Sequence, residues 1–150
     1  TNANWPSVPS TVAQALDDVA SVINYKNVYQ IYVDANAGSD STGNGSQLRP
    51  YSTLQHALSV ASAGSAGNYS IVLGPGTYGG TTINWPVQAN KTIHLIAADG
   101  SVTITAQINY TAQGLSDESL VMDGIYVSNQ MNFDLGLGGV VSILLMNDRD

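Results

Sequence analysis

A chain of 150 residues is long enough to bury the core of one domain, and no linker-like stretch divides it. Hydrophobic residues make up 43% of the chain and charged residues only 10%, with Gly, Ser, Thr and Asn between short apolar runs, which is typical of an all-β protein with many turns. The net charge of −7 argues against nucleic-acid binding, because the chain would repel phosphates, and the absence of Cys excludes disulfides and thiolate metal sites.

An amphipathic helix is predicted near the start of the chain, within a linker-and-helix region over residues 1–28. Its apolar side chains recur at spacings of four, three and four residues, at Val12, Leu16, Val19 and Ile23. This stripe fits a short oligomerising coil, and it also fits a helix packed on its own domain, since a sustained coiled coil needs about three heptads or more. Both interpretations stay open on the pattern alone.

A strand and a long polar loop open the second predicted region, residues 29–150. Residues 31–33 are β-branched and aromatic, as expected of a strand, and residues 34–46 form a loop rich in Gly, Ser, Asp and Asn. Oxygen ligands of the kind that Ca²⁺ prefers come from three loop residues, Asp34, Asn36 and Asp40. Weak Ca²⁺ binding and a self-hydrogen-bonded loop both fit this pattern, and no other cofactor is expected.

A second helix is predicted to open at Ser52, with Gln55 as its capping-box partner, and to end at Gly64 and Gly67. Its buried face is formed by four apolar residues at helical spacing, Leu54, Ala57, Leu58 and Ala61. We expect this helix to cap the strands that follow, because an uncovered sheet edge invites pairing with another chain.

From Ser70 onward the chain predicts short strands that repeat. One series returns at offsets of 22, 27 and 23 residues, in residues 71–73, 93–95, 120–122 and 143–145. A second, interleaved series consists of residues 82–84, 103–105 and 125–127. Two series with one period indicate a solenoid with coils of about 22 residues, in which each coil buries its inward side chains against its neighbours. Because the chain stops directly after an apolar strand, we expect further coils beyond Asp150.

Several segments in the middle of the chain occur in a characteristic order. They are the strand and Gly-Ser-Asp loop, the Arg-Pro-Tyr segment with its helix, a strand and a Gly-Pro-Gly-Thr-Tyr turn, at residues 31–34, 38–40, 49–58, 71–73 and 74–78. In this order they resemble the opening of pectate-lyase-like proteins. The resemblance covers about a third of the chain and implies a mainly β fold, a right-handed parallel β-helix with a capping helix. It says little about chemistry, because that superfamily includes polysaccharide lyases, hydrolases and epimerases as well as viral and bacteriophage spikes.

The start of the chain carries a second, shorter likeness. The Asn-Trp-Pro of residues 4–6, followed by residues 8–17, is similar to a linker-plus-helix element found ahead of β-helix domains in viral fibres and bacteriophage tailspikes. Chains trimerise in those proteins, so the likeness implies a homo-oligomer, with a trimer favoured. It also implies that the apolar stripe of the first helix contributes to oligomerisation.

No convincing catalytic constellation stands out in the sequence. Lyase chemistry needs a base and a cation, but Lys91 and Arg149 have no carboxylate cluster beside them. Hydrolase chemistry needs two paired carboxylates, and the available ones are Asp117, Glu118, Asp123 and Asp134. Asp123 with Gly124 is typical of a turn, and Asp117 with Glu118 of a solvated loop. Trp85 and Tyr110 are candidates for stacking on sugar rings, although aromatic residues also fill β-helix cores.

The leading hypothesis from the sequence is the N-terminal part of a virion spike or fibre protein that attaches to host-surface carbohydrate. It places the chain at the virion surface or otherwise outside the cell, with any depolymerase site beyond residues 1–150. The alternatives are the N-terminal part of a secreted polysaccharide lyase or glycoside hydrolase, and a structural virion protein without a ligand. Expected partners are a host polysaccharide or glycan and further copies of the chain. Membrane insertion is not expected, since no apolar run approaches the ~20 residues that span a bilayer.

Overall fold

The computed structural model describes residues 28–64, 67–86, 91–111, 119–134 and 142–146. The described residues form one α-helix, α1, at Leu54–Ala63. No described helix is long and apolar enough to cross a membrane. The remaining elements are short strands, β1 Val28–Val33, β2 Gly67–Leu73, β3 Gly76–Tyr78, β4 Ile83–Asn84, β5 Lys91–Ala97, β6 Val102–Ile104, β7 Ile108–Thr111, β8 Ser119–Asp123, β9 Ile125–Val127, β10 Met131–Asp134 and β11 Ser142–Met146.

These strands build three parallel sheets. The first sheet has the order β1-β2-β5-β8-β11, the second β3-β6-β9 and the third β4-β7-β10. Each coil therefore contributes one strand to every sheet, as β2, β3 and β4 do, and pairs with the coils before and after it. Three parallel sheets with this regular register form a parallel β-helix, which confirms the predicted mainly β solenoid.

The register of the first sheet corrects the predicted alignment at its first step. Ile71 pairs with Leu95, an offset of 24 residues, rather than with Ile93, whose partner is Tyr69. The later offsets of 27 and 23 residues are confirmed by the pairs that Leu120 makes with both neighbouring strands. A shift of two residues keeps the apolar side chains on the same face of the strand, so the apolar pattern does not distinguish the two registers.

The predicted second series is wrong at its first member, which lies in a different sheet, whereas the other two members are paired in one sheet. Ile83 belongs to the third sheet and pairs with Ile108. Ile104 belongs to the second sheet, where it pairs with Tyr78 and Val127. The strands β3 and β4 have only three and two residues. Strands this short point only one or two side chains inward, and an alternating apolar pattern needs more residues than that to identify a strand.

The core runs along the inside of the coils. The inward residues of the first sheet are almost fully buried, among them Ile71, Leu73, Ile93, Leu95, Leu120 and Met122. Val102, Ile104 and Ile108 complete the interior from the other two sheets. Because burial of one such side chain contributes roughly 1.5–3 kcal/mol, the stacking of coils on this shared interior stabilises the fold.

The third sheet carries two ladders of similar side chains, one on each face. On its outer face, Nδ2 of Asn109 donates to Oδ1 of Asn84 at 3.3 Å, and Nδ2 of Asn132 donates to Oδ1 of Asn109 at 3.0 Å. We call these three residues the asparagine ladder. On the inner face a row of rings has centroid separations of 6.3 and 6.1 Å, in Trp85, Tyr110 and Phe133.

The α1 helix buries the predicted face, with Leu54, Ala57, Leu58 and Ala61 all in the core. Its start differs from the prediction, because Thr53 rather than Ser52 is the N-cap. The Thr53 hydroxyl accepts a hydrogen bond from the backbone N–H of His56 at 3.2 Å, which satisfies one of the unbonded donors at the start of a helix. The helix ends at its C-cap Gly64, whereas Gly67 already lies in β2.

At the N-terminal end of the coils, cap residues hydrogen-bond to β1, to the segment before β3 and to β4. At β1 the carbonyl of Gly45 accepts from the N–H of Tyr32 at 2.8 Å. Ahead of β3, Nδ2 of Asn36 donates to the carbonyl of Pro75 at 3.2 Å. At β4 the side-chain oxygen of Gln55, in the helix, accepts from the N–H of Asn84. The predicted cap therefore consists of the helix together with the loop of residues 34–51.

Candidate functional site

A cleft of about 530 Å³ lies beside the first half of α1 and the segment that joins β3 to β4. Its polar lining consists of one carboxylate, an imidazole, an amide and several hydroxyls, namely Asp40, Ser52, Thr53, Gln55, His56, Ser59, Thr77 and Thr81. Its apolar lining consists of Ala35, Leu54, Tyr78, Gly79 and Ile83. The volume lies in the range of about 300–1,000 Å³ that is usual for small-molecule sites.

Asp40 joins the loop to the start of the helix. One carboxylate oxygen accepts from the backbone N–H groups of Ser52 and Thr53 at 2.8 and 3.1 Å, and the other accepts from the Thr53 hydroxyl at 2.6 Å. Burial raises the pKa of Asp40, but the hydrogen bonds from Thr53 and Ser52 outweigh burial and hold that pKa below its ordinary value. The carboxylate is therefore ionised at neutral pH.

Gln55 holds the helix against the outer edge of β4. Its side-chain oxygen accepts from the N–H of Asn84 at 2.8 Å, and its Nε2 donates to the carbonyl of the same residue at 3.4 Å. The amide thus takes the place that a neighbouring strand would occupy. The Ser59 hydroxyl donates to the Gln55 carbonyl at 2.9 Å, one turn further along the helix.

The other side of the cleft has a rigid base and open hydroxyls. The Tyr78 hydroxyl lies 2.8 Å from the carbonyl of Gly74 and 3.1 Å from that of Val33, which fixes the ring. Burial, reinforced by the charge of Asp34, raises the pKa of Tyr78 to about 12, so it stays protonated. Thr77 and Thr81, by contrast, are exposed.

His56 stands on the helix at the edge of the cleft. Its ring meets the buried ring of Tyr51 edge to face, with centroids 4.5 Å apart. One part of the imidazole is thereby packed on the core, while the side chain remains partly exposed to the cleft. An imidazole held in this way can donate or accept a hydrogen bond through its ring nitrogens.

The described residues that line the cleft offer many hydrogen-bonding groups and a single carboxylate. Paired carboxylates are needed for glycoside hydrolysis, and Asp40 is the single carboxylate among the described residues that line the cleft. No family model matches the chain, and neither a curated protein nor a solved structure matches it. The interpretation of the cleft therefore depends on its own chemistry.

The predicted calcium ligands lie in two separate networks. Oδ1 of Asp34 accepts from the backbone N–H groups of Asn36 and Ala37 at 2.8 and 2.9 Å, which forms a local turn, while Asp40 bonds to the helix start. Among the described residues, no group of three or more His, Asp or Glu is close enough to hold a metal. Weak Ca²⁺ binding stays a prediction, and the hydrogen bonds account for the loop's polar residues without a metal.

The two aromatic candidates for carbohydrate contact lie in the interior. Trp85 is 7% exposed and Tyr110 is 2% exposed, and both belong to the inner row of rings in the third sheet. In that position each ring packs on its neighbour in the row. Their carbohydrate role stays a prediction that no contact in the described chain supports.

Several other predicted residues fall outside the described part of the chain. They are the candidate oligomerisation residues Val12, Leu16, Val19 and Ile23, together with Asp117, Glu118 and Arg149. Of the remaining candidates, Lys91 begins β5 and Asp134 ends β10. Asp123 ends β8 and is followed by Gly124 with a φ of 69°, which confirms the predicted Asp-Gly turn.

The residues that line the cleft were not predicted as a site. They come from the loop, the helix and the β3–β4 segment, and only the stacking of the first coil on the cap brings these together. One signal was present: Thr77 and Thr81 flank a Gly-Gly pair at residues 79–80, which marks an exposed turn with hydroxyls on both sides.

Proposed function

We propose that this chain forms the capped part of a β-helix in a virion spike or fibre, and that it attaches to carbohydrate on a host surface. The observation that carries the proposal is the lining of the cleft. It combines hydroxyl, amide, imidazole and carboxylate groups with an apolar part that includes the partly exposed Ala35.

A sugar ring needs both kinds of surface. Its hydroxyls exchange hydrogen bonds with polar groups that are already oriented, and its C–H faces pack on apolar side chains. In the cleft Gln55 and Asp40 are held in place by their own bonds to Asn84, Ser52 and Thr53. Such fixed groups lose little conformational entropy when a ligand binds, which favours recognition.

Attachment by a spike gains strength from repetition. A shallow cleft of this kind is expected to bind one sugar unit weakly, and several copies presented together bind a glycan surface with much higher avidity. A homo-oligomer, with a trimer favoured, would supply these copies. The apolar stripe of Val12, Leu16, Val19 and Ile23 is the proposed contact between chains.

A glycan array probed with the chain, displayed as a multimer on a fluorescent carrier, tests the attachment. Thr77→Ala/Thr81→Ala removes two exposed hydroxyls from the cleft and is expected to lower the signal on bound glycans at least ~10-fold, equivalent to ~1.4 kcal/mol. Ser101→Ala is the matched control, because Ser101 is an exposed hydroxyl outside the cleft. An array without bound glycans, or one on which the double variant binds like the parent, contradicts the proposal.

Light scattering of the chain in solution tests the proposed assembly. The spike hypothesis predicts a trimer, and Leu16→Glu together with Ile23→Glu is expected to convert it to a monomer by placing charges on the apolar stripe. A strict monomer whose longer form cleaves polysaccharide would instead support the secreted enzyme. A trimer that binds no glycan would support the structural virion protein.

A further inference from the structure

The cleft beside α1 has an unbalanced charge. Asp40 contributes a carboxylate, whereas none of the described residues that line the cleft is Lys or Arg. The same carboxylate receives three hydrogen bonds from Ser52 and Thr53, and these favour its charged form. An anionic ligand would therefore meet a fixed negative charge, with no Lys or Arg among the described lining residues to offset it.

Other ligand classes fit the cleft less well. A phosphate-bearing ligand would be repelled in the same way as any anion. A metal ion would find no cluster of three or more His, Asp or Glu among the described residues. A purely apolar ligand would leave the exposed hydroxyls of Thr77 and Thr81 without hydrogen bonds when they are covered.

A neutral polyhydroxyl compound satisfies all these groups. Asp40 still has lone pairs beyond those used by the helix start, so its oxygens can accept from sugar hydroxyls. Hydrogen bonds that involve a charged group are stronger than those between neutral groups. Thr77 and Thr81 can donate or accept as a sugar requires, and the partly exposed Ala35 provides a small apolar surface.

We propose that this cleft selects an uncharged sugar unit and rejects a sugar that carries a carboxylate, such as a uronate. The inference rests on the proposed function, because it takes carbohydrate as the ligand. The inference goes beyond the proposed function by naming the chemical class of carbohydrate that binds and the residue that distinguishes neutral from acidic sugars. Asp40 provides the discrimination, and the hydroxyls of Thr77 and Thr81 provide contacts that both classes share.

Matched pairs of methyl glycosides test the selectivity directly. The probes are the methyl glycosides of glucose, galactose and mannose, each compared with its uronate, which differs only in the carboxylate at C6. Saturation-transfer NMR and titration at pH 8 give the affinities for the full chain. At least one neutral member is expected to bind, with its uronate at least ~10-fold weaker.

Two charge variants separate selectivity from binding itself. Thr81→Lys places a cation at the exposed edge of the cleft, and it is expected to reduce the neutral-to-uronate ratio by at least ~10-fold. Asp40→Asn removes the charge while keeping the shape, and it is expected to reduce the ratio in the same direction. Leu48→Lys adds the same charge at a site that is 94% exposed and outside the cleft, so it should leave the ratio unchanged.

The possible outcomes distinguish the two proposals. Equal binding of both members of a pair, or tighter binding of the uronate, overturns the selectivity and leaves carbohydrate attachment standing. Absence of binding by all six probes and by the glycan array overturns the attachment itself. If Thr81→Lys and Leu48→Lys change the ratio equally, the discrimination comes from the net charge of the chain and the assignment to Asp40 is wrong.

Discussion

The cap, residues 28–64, and the coils from residue 67 onward both provide hydrogen-bond partners for the backbone of the strands, but they do so with different groups. In the coils each strand is hydrogen-bonded by strands of the neighbouring coils, and similar side chains recur at equivalent positions, as in the asparagine ladder. In the cap, single groups close the outer strands, such as the carbonyl of Gly45 at β1 and the amide of Gln55 at β4. A substitution in a coil weakens one member of a series, whereas a substitution in the cap removes a group that has no equivalent.

Truncation of a core side chain should give the largest effect and show the clearest difference between the cap and the coils. Leu58→Ala in the cap and Leu95→Ala in a coil both remove a fully buried side chain, and each is expected to lower the free energy of unfolding by about 2–5 kcal/mol. Only Leu58→Ala also loosens the cover of the sheet edges, so it should increase self-association. Urea unfolding and light scattering check both effects. Equal self-association of the two variants would contradict the role of the cap.

Two glycines with positive φ sharpen the comparison. Gly45 in the cap has a φ of +75°, and an added Cβ would lie 2.8 Å from the Tyr51 ring. Gly124 in a coil has a φ of +69°, with its added Cβ 3.1 Å from the Cβ of Ala97. Gly45→Ala is expected to cost about 2–3 kcal/mol and Gly124→Ala about 1–2 kcal/mol, since both meet the left-handed penalty and the former also displaces a buried ring. Thermal or urea unfolding gives the order, and the reverse order would contradict it.

Loss of a single bonded amide should have different local effects in the two regions. Gln55→Ala and Asn109→Ala are each expected to cost about 1 kcal/mol. Gln55→Ala should also speed hydrogen exchange at the N–H of Asn84, because the Gln55 side chain is its partner, whereas Asn109→Ala leaves backbone pairing intact. Gln47→Ala, in the exposed loop, is the control. Unchanged exchange at Asn84 in Gln55→Ala would show that something else covers β4.

The smallest expected effect is the pH dependence that Asp40 gives to the cap. Its pKa in the fold is below the ordinary value of 3.8, so its charged form stabilises the fold above that pH, and the stabilisation is lost as the pH falls below it. Asp40→Asn should remove this part of the acid sensitivity. Urea midpoints measured between about pH 2.5 and 7 decide the point, and identical curves for the parent and Asp40→Asn would contradict it.

The sequence allows the first sheet to be predicted because its strands are long. The five to seven residues of β2, β5 and β8 contain two or more inward apolar side chains, so the repeat is visible, although not its register at the first step. The buried face of α1 was predictable for the same reason. Its N-cap was not, because Ser52 and Thr53 are chemically similar and Asp40 determines the choice from a distant position in the sequence.

The third sheet was missed because its repeat is not purely apolar. Its strands share an apolar residue, an Asn and an aromatic residue in that order, as Ile-Asn-Trp at 83–85, Ile-Asn-Tyr at 108–110 and Met-Asn-Phe at 131–133. A search for apolar runs overlooks a triplet with a polar centre. Apart from the exposed turn at residues 77–81, nothing in the sequence indicated the cleft, since the contact of Gln55 with Asn84 joins residues far apart in the sequence.

Disulfide trapping tests the three-sheet register most directly, and because the chain has no native Cys, only the introduced pair can form a disulfide within the chain. Asn84 and Asn109 are paired on adjacent strands with their side chains on the same face. Neighbouring strands lie about 4.7–4.9 Å apart, which falls within the Cα separation of about 4.4–6.8 Å that a disulfide allows. Asn84→Cys/Asn109→Cys should therefore crosslink on mild oxidation, and Asn84→Cys/Thr105→Cys, the pair expected from the apolar series, should not. Crosslinking of the second pair, or failure of the first, would contradict the three-sheet β-helix.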